Sequence, residues 1–101
     1  MNLVTKVLIA DGDQEFCARL KDMIGGIPGY DVTAVAQDGK TAVELLNKHH
    51  PDVMVLDLML PEMDGLAVLK AGKSMEKQPS ALVLTGFMTD FVSYMAADLG
   101  V

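Results

Sequence analysis

The side chains in this sequence best suited to chemistry are carboxylates, and their positions follow a pattern. Asp11-Gly12-Asp13 comes directly after the apolar run Val4–Ala10, Asp57 directly after Val53–Leu56, and Thr85-Gly86 directly after Ala81–Leu84. Asp57 is the most informative, because a charge at the end of a continuous apolar run is costly to bury without a purpose. In an open parallel sheet, ligands bind beyond the carboxyl ends of the strands, where the strand order reverses. If the first and third runs are neighbouring strands, Asp11 and Asp57 meet at one crevice despite their separation in sequence. Carboxylates held that close raise one another's pKa unless a cation sits among them. Mg²⁺ suits such a cluster, since it takes one or two carboxylates and keeps several waters. Asp13 and Asp64 each precede a predicted helix and read first as N-caps. Thr85 divides evenly between helix capping and a phosphoryl contact.

The elements that must position these residues are legible as short runs rich in Val, Leu and Ile separated by stretches of helical spacing, which is the signature of strands and helices alternating around a parallel sheet. The first strand is Val4–Ala10, and the helix after it spans about Gln14–Ile24, with Phe16, Leu20, Met23 and Ile24 on one face. The Gly25-Gly26-Ile27-Pro28-Gly29 stretch is a turn. The second strand, Tyr30–Ala36, alternates and so reads as an edge; Asp38-Gly39 leads into a helix carrying Ala42, Leu45, Leu46 and His49, which Pro51 stops. His49-His50 closes that helix, where cations suit the dipole. The third strand, Val53–Leu56, is apolar throughout and is expected to be buried on both faces. After the loop Leu58–Met63, a short helix starts near Asp64, runs through Leu66 and Leu69, and is expected to fray around Gly72. Lys73–Pro79 is a polar connector, Ala81–Leu84 the fourth strand, and Thr89–Leu99 a last helix closed by Gly100.

The sequence of 101 residues fits one domain, with 50% hydrophobic residues for a core. Fourteen acids against eight Lys and Arg give a net charge of −6, which repels phosphate backbones, so nucleic-acid binding by this chain is excluded. Cys17 is the only cysteine, so no intrachain disulfide and no cysteine-based zinc site can form, and it reads as a small helix residue without a redox role. Met1–Lys6 does not resemble a signal peptide and the apolar runs are far short of a membrane span, so no membrane association and a cytoplasmic location are expected.

Ile9-Ala10-Asp11, the block Val53–Asp57 with Pro61 and Asp64-Gly65 behind it, and Leu84-Thr85-Gly86 together resemble the receiver domain of bacterial two-component response regulators, over essentially the whole chain. Within that family, Gln14–Cys17, Asp64–Leu69, Lys77-Gln78-Pro79 and Ala97–Gly100 are similar to the receivers of sporulation master regulators, the stage zero sporulation protein A type. The resemblance implies an α/β, flavodoxin-like three-layer fold with a parallel sheet in the order 2-1-3-4. It implies that Asp57 accepts a phosphoryl group from a histidine kinase or phosphotransfer protein. Mg²⁺ would be held by Asp11, Asp57 and the backbone carbonyl of Met59, with Asp13 as a further candidate ligand. The Thr85 hydroxyl would move to bind the phosphoryl oxygens, with Gly86 leaving room. The output, transcription or sporulation, would lie in a domain outside this chain.

Two departures from the family pattern shape the expectations. The family has two adjacent acids after its first strand, and here the second is Gly12, so weak Mg²⁺ binding and slow phosphorylation are expected. The family's fifth strand, with its lysine, and fifth helix would follow Val101. Without them the fourth strand is an edge, and a homodimer or strand swap through it and the last helix is expected. Two alternatives remain: a degenerate receiver acting as a protein-interaction module, and a haloacid-dehalogenase-type phosphatase with Asp11 as nucleophile. The order of motifs argues against the phosphatase, because Asp57 and Asp64 precede Thr85 instead of following it.

Overall fold

The computed structural model describes residues 3–60 and 64–84. Within them the chain alternates strand and helix: β1 (Thr5–Ala10), α1 (Gln14–Gly25), β2 (Tyr30–Ala36), α2 (Gly39–His49), β3 (Val53–Asp57), α3 (Gly65–Lys73) and β4 (Ser80–Leu84). The four strands form one parallel sheet in the order β2-β1-β3-β4, a flavodoxin-like arrangement. The last predicted helix, Thr89–Leu99, lies outside the described residues, as does Thr85.

Strand periodicity decides what each face carries, because successive side chains point to opposite sides. On one face Leu8, Ala10, Met54 and Leu56 join Ala42 and Leu46 of α2 and Val68 and Leu69 of α3. On the other, Val7, Ile9 and Val55 pack with Cys17 of α1, flanked by Leu20 and Ile24. The protein is therefore three layers, with α1 on one side of the sheet and α2 and α3 on the other. Met54, Val55 and Leu56 are all buried, which accounts for the unbroken apolar character of β3. Edge strand β2 contains a bulge. Its register on β1 jumps between Val7↔Val32 and Leu8↔Ala34, and the skipped Thr33 donates its hydroxyl to the Val7 carbonyl at 3.3 Å.

Each helix begins with an aspartate whose carboxylate accepts a backbone N–H three residues on. Asp13 takes Phe16 N–H at 3.1 Å, Asp38 takes Thr41 N–H at 2.7 Å, and Asp64 takes Ala67 N–H at 2.9 Å. Helix α2 ends on His50 in the left-handed region, φ 48° and ψ 59°, a conformation that usually calls for glycine.

Three expectations need correction. Val4 precedes β1 and is exposed. The buried stripe of α1 is Cys17, Leu20 and Ile24, whereas Phe16 and Met23 are 37% and 67% exposed. Both stripes have helical spacing and share Leu20 and Ile24. The small Cys17 is the side chain that fits where α1 starts close against the end of β1. Finally, α3 runs one residue past Gly72, to Lys73, and Gly72 is buried, where a Cβ would come 3.4 Å from Pro79 Cγ. Glycine there permits close approach of the connector.

At the opposite end of the sheet, Asp52 ties three strands together. Its Oδ2 accepts the Lys6 N–H at 2.8 Å, its Oδ1 meets Lys77 Nζ at 2.7 Å, and its carbonyl accepts the Ser80 N–H at 3.0 Å.

Candidate functional site

Strand pairing brings the sequence-predicted acids together. Ala10 is in register with Leu56 on the adjacent central strands, so the next residues, Asp11 and Asp57, leave the sheet side by side at its carboxyl end. Asp11 is anchored through its N–H to the Ala36 carbonyl at 3.0 Å, while its Oδ1 accepts the N–H of Asp13 at 2.8 Å. The Asp11 carbonyl accepts the thiol of buried Cys17 at 3.2 Å. Burial pushes the Asp11 carboxyl above its ordinary pKa, the bond from Asp13 N–H opposes this, and the negative charges of Asp57 and then Asp13 raise it further. Burial, with Asp11's charge added, likewise pushes the Cys17 thiol up.

Asp57 is half-buried, and its Oδ1 accepts the N–H of Met59 at 2.9 Å. The segment after it is pinned by alternation: Leu58 and Leu60 are buried in the core and Met59 between them is 65% exposed. Helix α3 closes over this segment. The Gly65 N–H donates to the Leu58 carbonyl at 2.8 Å, and a Cβ on Gly65 would come within 2.7 Å of the Asp57 carbonyl oxygen and 2.9 Å of the Leu58 carbonyl carbon, besides striking Leu58 Cα. This crowding has no signature in residue type beyond the Asp64-Gly65 pair itself.

Of the remaining candidates, Asp13 sits at the same rim with its Oδ1 on the start of α1. Thr85 lies outside the described residues, although β4 brings Leu84 into register with Asp57 just before it. The expected second acid of the metal site is Gly12. Among the described residues no group of three or more His, Cys, Asp or Glu is placed to hold a metal ion. A pair of carboxylates, Asp11 and Asp57, nevertheless fits what Mg²⁺ requires when water completes its shell. The mutual repulsion felt at Asp11 is the kind of imbalance a dication relieves.

Two comparisons bear on this arrangement. Residues 7–101 match the family described as the response regulator receiver domain. Among solved structures, the response regulator domain of Thermotoga maritima CheB is 29% identical, with a TM-score of 0.84 over 97% of this chain and 74% of that one. The signal receiver domain of a DNA binding response regulator from Colwellia psychrerythraea 34H is also 29% identical, with a TM-score of 0.81 over 96% of this chain and 80% of that one. A chain of the CheX-CheY-BeF3-Mg complex from Borrelia burgdorferi shares the fold, at 22% identity and a TM-score of 0.86 over 97% of this chain and 74% of that one.

Proposed function

This chain belongs to the response regulator receiver domain family, and from that premise we propose that it is a phosphoacceptor in which Asp57 takes a phosphoryl group from a phosphohistidine of a histidine kinase or phosphotransfer protein. A carboxylate oxygen of Asp57 attacks phosphorus, the P–N bond to the donor imidazole breaks, and the imidazole leaves with the electron pair and takes up a proton. Such transfer depends mostly on positioning and on neutralising charge. The observation that carries the reading is Asp57 at the end of a buried central strand, beside Asp11 on the neighbouring one. When bound, Mg²⁺ would neutralise the phosphoryl oxygens; Asp11, Asp57 and the Met59 carbonyl are the groups to hold it. Asp13 is the lesser candidate, because one of its oxygens already caps α1. Asp11 orients through three backbone-linked contacts, and the Met59 N–H holds one Asp57 oxygen in place, leaving the other for attack. Thr85, one residue beyond β4, would bind the phosphoryl oxygens.

The proposal includes a cytoplasmic setting and an output in transcription or sporulation, supported by the sporulation-regulator-like segments Gln14–Cys17 and Asp64–Leu69. Among the described residues no helix is long and apolar enough to cross a membrane. Pairing of two copies through β4 is a further part of it: β4 ends the described sheet and Leu82 is 56% exposed. Light scattering on eluted fractions decides that part, and a monomer at high concentration removes it.

The central test is incubation with acetyl phosphate and Mg²⁺, followed by intact mass. A phosphoryl adduct present in the parent and missing in Asp57→Asn is the expected result; no adduct under any condition favours the interaction-module reading, which Gly12 in place of an acid also supports. Phosphatase activity that vanishes in Asp11→Asn would restore the haloacid-dehalogenase-type alternative.

A further inference from the structure

We infer that Gly65 is a positioning residue for chemistry at Asp57: the missing side chain at the start of α3 is what lets the Asp57–Leu58 peptide, and with it the Asp57 carboxylate and the Met59 backbone, sit where phosphoryl transfer needs them. The inference rests on reading Asp57 as the phosphoacceptor. The three nearest atoms that a Cβ on Gly65 would meet all belong to the backbone of residues 57 and 58, and none is the far end of a side chain that could swing aside. Neither side of the contact can yield cheaply. Leu58 and Leu60 are fixed in the core, and α3 is fixed by buried Val68 and Leu69 and by the Asp64 cap. The Gly65 N–H to Leu58 carbonyl bond of 2.8 Å holds the two pieces in contact. The same loop carries the Met59 N–H that holds Asp57 Oδ1.

A side chain at position 65 therefore displaces the Asp57–Leu58 peptide, which carries the reactive carboxylate, by roughly 1 Å to restore ordinary contact distances, and misplacement of that size at the reacting group costs on the order of a hundredfold in rate. Loss of support around a metal ligand weakens metal binding by about 10–100-fold.

The test compares Gly65→Ala with Gly72→Ala, which lies in the same helix but faces the Pro79 side chain at 3.4 Å. For each variant shown to be folded by circular dichroism, the acetyl phosphate rate is followed by intact mass and the Mg²⁺ dissociation constant by calorimetry. Gly65→Ala is expected to lower the rate on the order of a hundredfold and to weaken Mg²⁺ on the order of tenfold or more, with Gly72→Ala at parent values. A purely structural role would lower the unfolding temperature and leave both quantities of the folded protein unchanged, and that result overturns the inference. Should Gly65→Ala not fold, amide hydrogen exchange on the parent decides. Saturating Mg²⁺ is expected to slow exchange at both Met59 and Gly65, whereas slowing at Met59 alone, or at neither, overturns it. If the parent forms no adduct, the phosphoacceptor reading fails, and the Mg²⁺ and exchange measurements still judge Gly65.

Discussion

Replacing Asp13 separates the two jobs its carboxylate could do. Its Oδ1 accepts the Phe16 N–H at 3.1 Å, closing the first turn of α1. Removing an aspartate cap costs ~1 kcal/mol, with a range of about 0.5–2, and losing its negative charge from the helix start adds about 0.3–1 kcal/mol. A partial offset comes from Asp11, whose carboxyl is raised in part by Asp13's charge, although that contribution ranks below burial and below Asp57. The balance for Asp13→Ala is a loss of about 1–2 kcal/mol. For a domain of this size each kcal/mol moves the unfolding midpoint by roughly 4–8 °C, so a fall of about 4–16 °C by circular dichroism is expected. Asp13→Asn keeps a capping oxygen and should stay within about 0.5 kcal/mol of the parent. Its Mg²⁺ dissociation constant should change by less than about threefold if, as proposed, Asp11 and Asp57 hold the metal. An Asp13→Ala midpoint equal to the parent's, or an Asp13→Asn protein of normal stability that no longer binds Mg²⁺, would refute the reasoning.

Other outcomes follow from the same geometry. The Asp11 carboxyl is raised, so its contribution to stability is full below the unfolded value of about 3.9 and is lost as pH rises through the folded pKa. Asp11→Asn, which keeps the oxygen that receives the Asp13 N–H, should therefore melt higher than the parent at pH 7 without Mg²⁺, and the gap should close in acid. The Asp52 carboxyl is held below its ordinary range, first by the Lys6 N–H and then by Lys77. Its contribution is present above about pH 3.9 and is lost only as pH falls through the lower folded value, so Asp52→Ala should lower the midpoint at pH 7 with the difference fading in strong acid. His50→Gly should raise stability by about 0.5–1 kcal/mol in urea unfolding, because φ 48° costs a residue with a Cβ and suits glycine. Gly12→Asp should tighten Mg²⁺ binding by calorimetry while lowering the metal-free midpoint, since it adds a further negative charge beside Asp11, Asp13 and Asp57.

Much of the fold was legible because β3 and its neighbours announce themselves as apolar runs ended by Asp or Thr, and the three described helix starts as Asp at the head of a helical pattern. The face of α1 was not, since Phe16 and Cys17 both continue the Leu20 and Ile24 spacing and the choice depends on the room beside the end of β1. The Asp52 tie to Lys6 and Lys77 leaves no local trace, because its partners come from two other strands' approaches. At the candidate site, the juxtaposition of Asp11 and Asp57 was readable from their positions after the first and third apolar runs. The pressure of Gly65 on the Asp57–Leu58 peptide was not, because a glycine after a cap looks the same whether or not a backbone passes against it.

The aspartate that starts each helix has an effect at the level of the whole field. Because the strands are parallel, the three described helices begin at the same end, so Asp13, Asp38 and Asp64 join Asp11 and Asp57 on one rim. Each cap is quieted by its own amide hydrogen bond, yet the rim as a whole faces any incoming phosphoryl group with a negative potential. The proposed transfer would replace the single carboxylate charge of Asp57 with about −2 on the phosphoryl group, a net gain of about −1 on an already negative rim. Simple salt, which screens exposed charges over about 8–10 Å, then becomes a second lever on phosphorylation: at fixed Mg²⁺ far above its dissociation constant, the rate with a small anionic donor should climb with ionic strength.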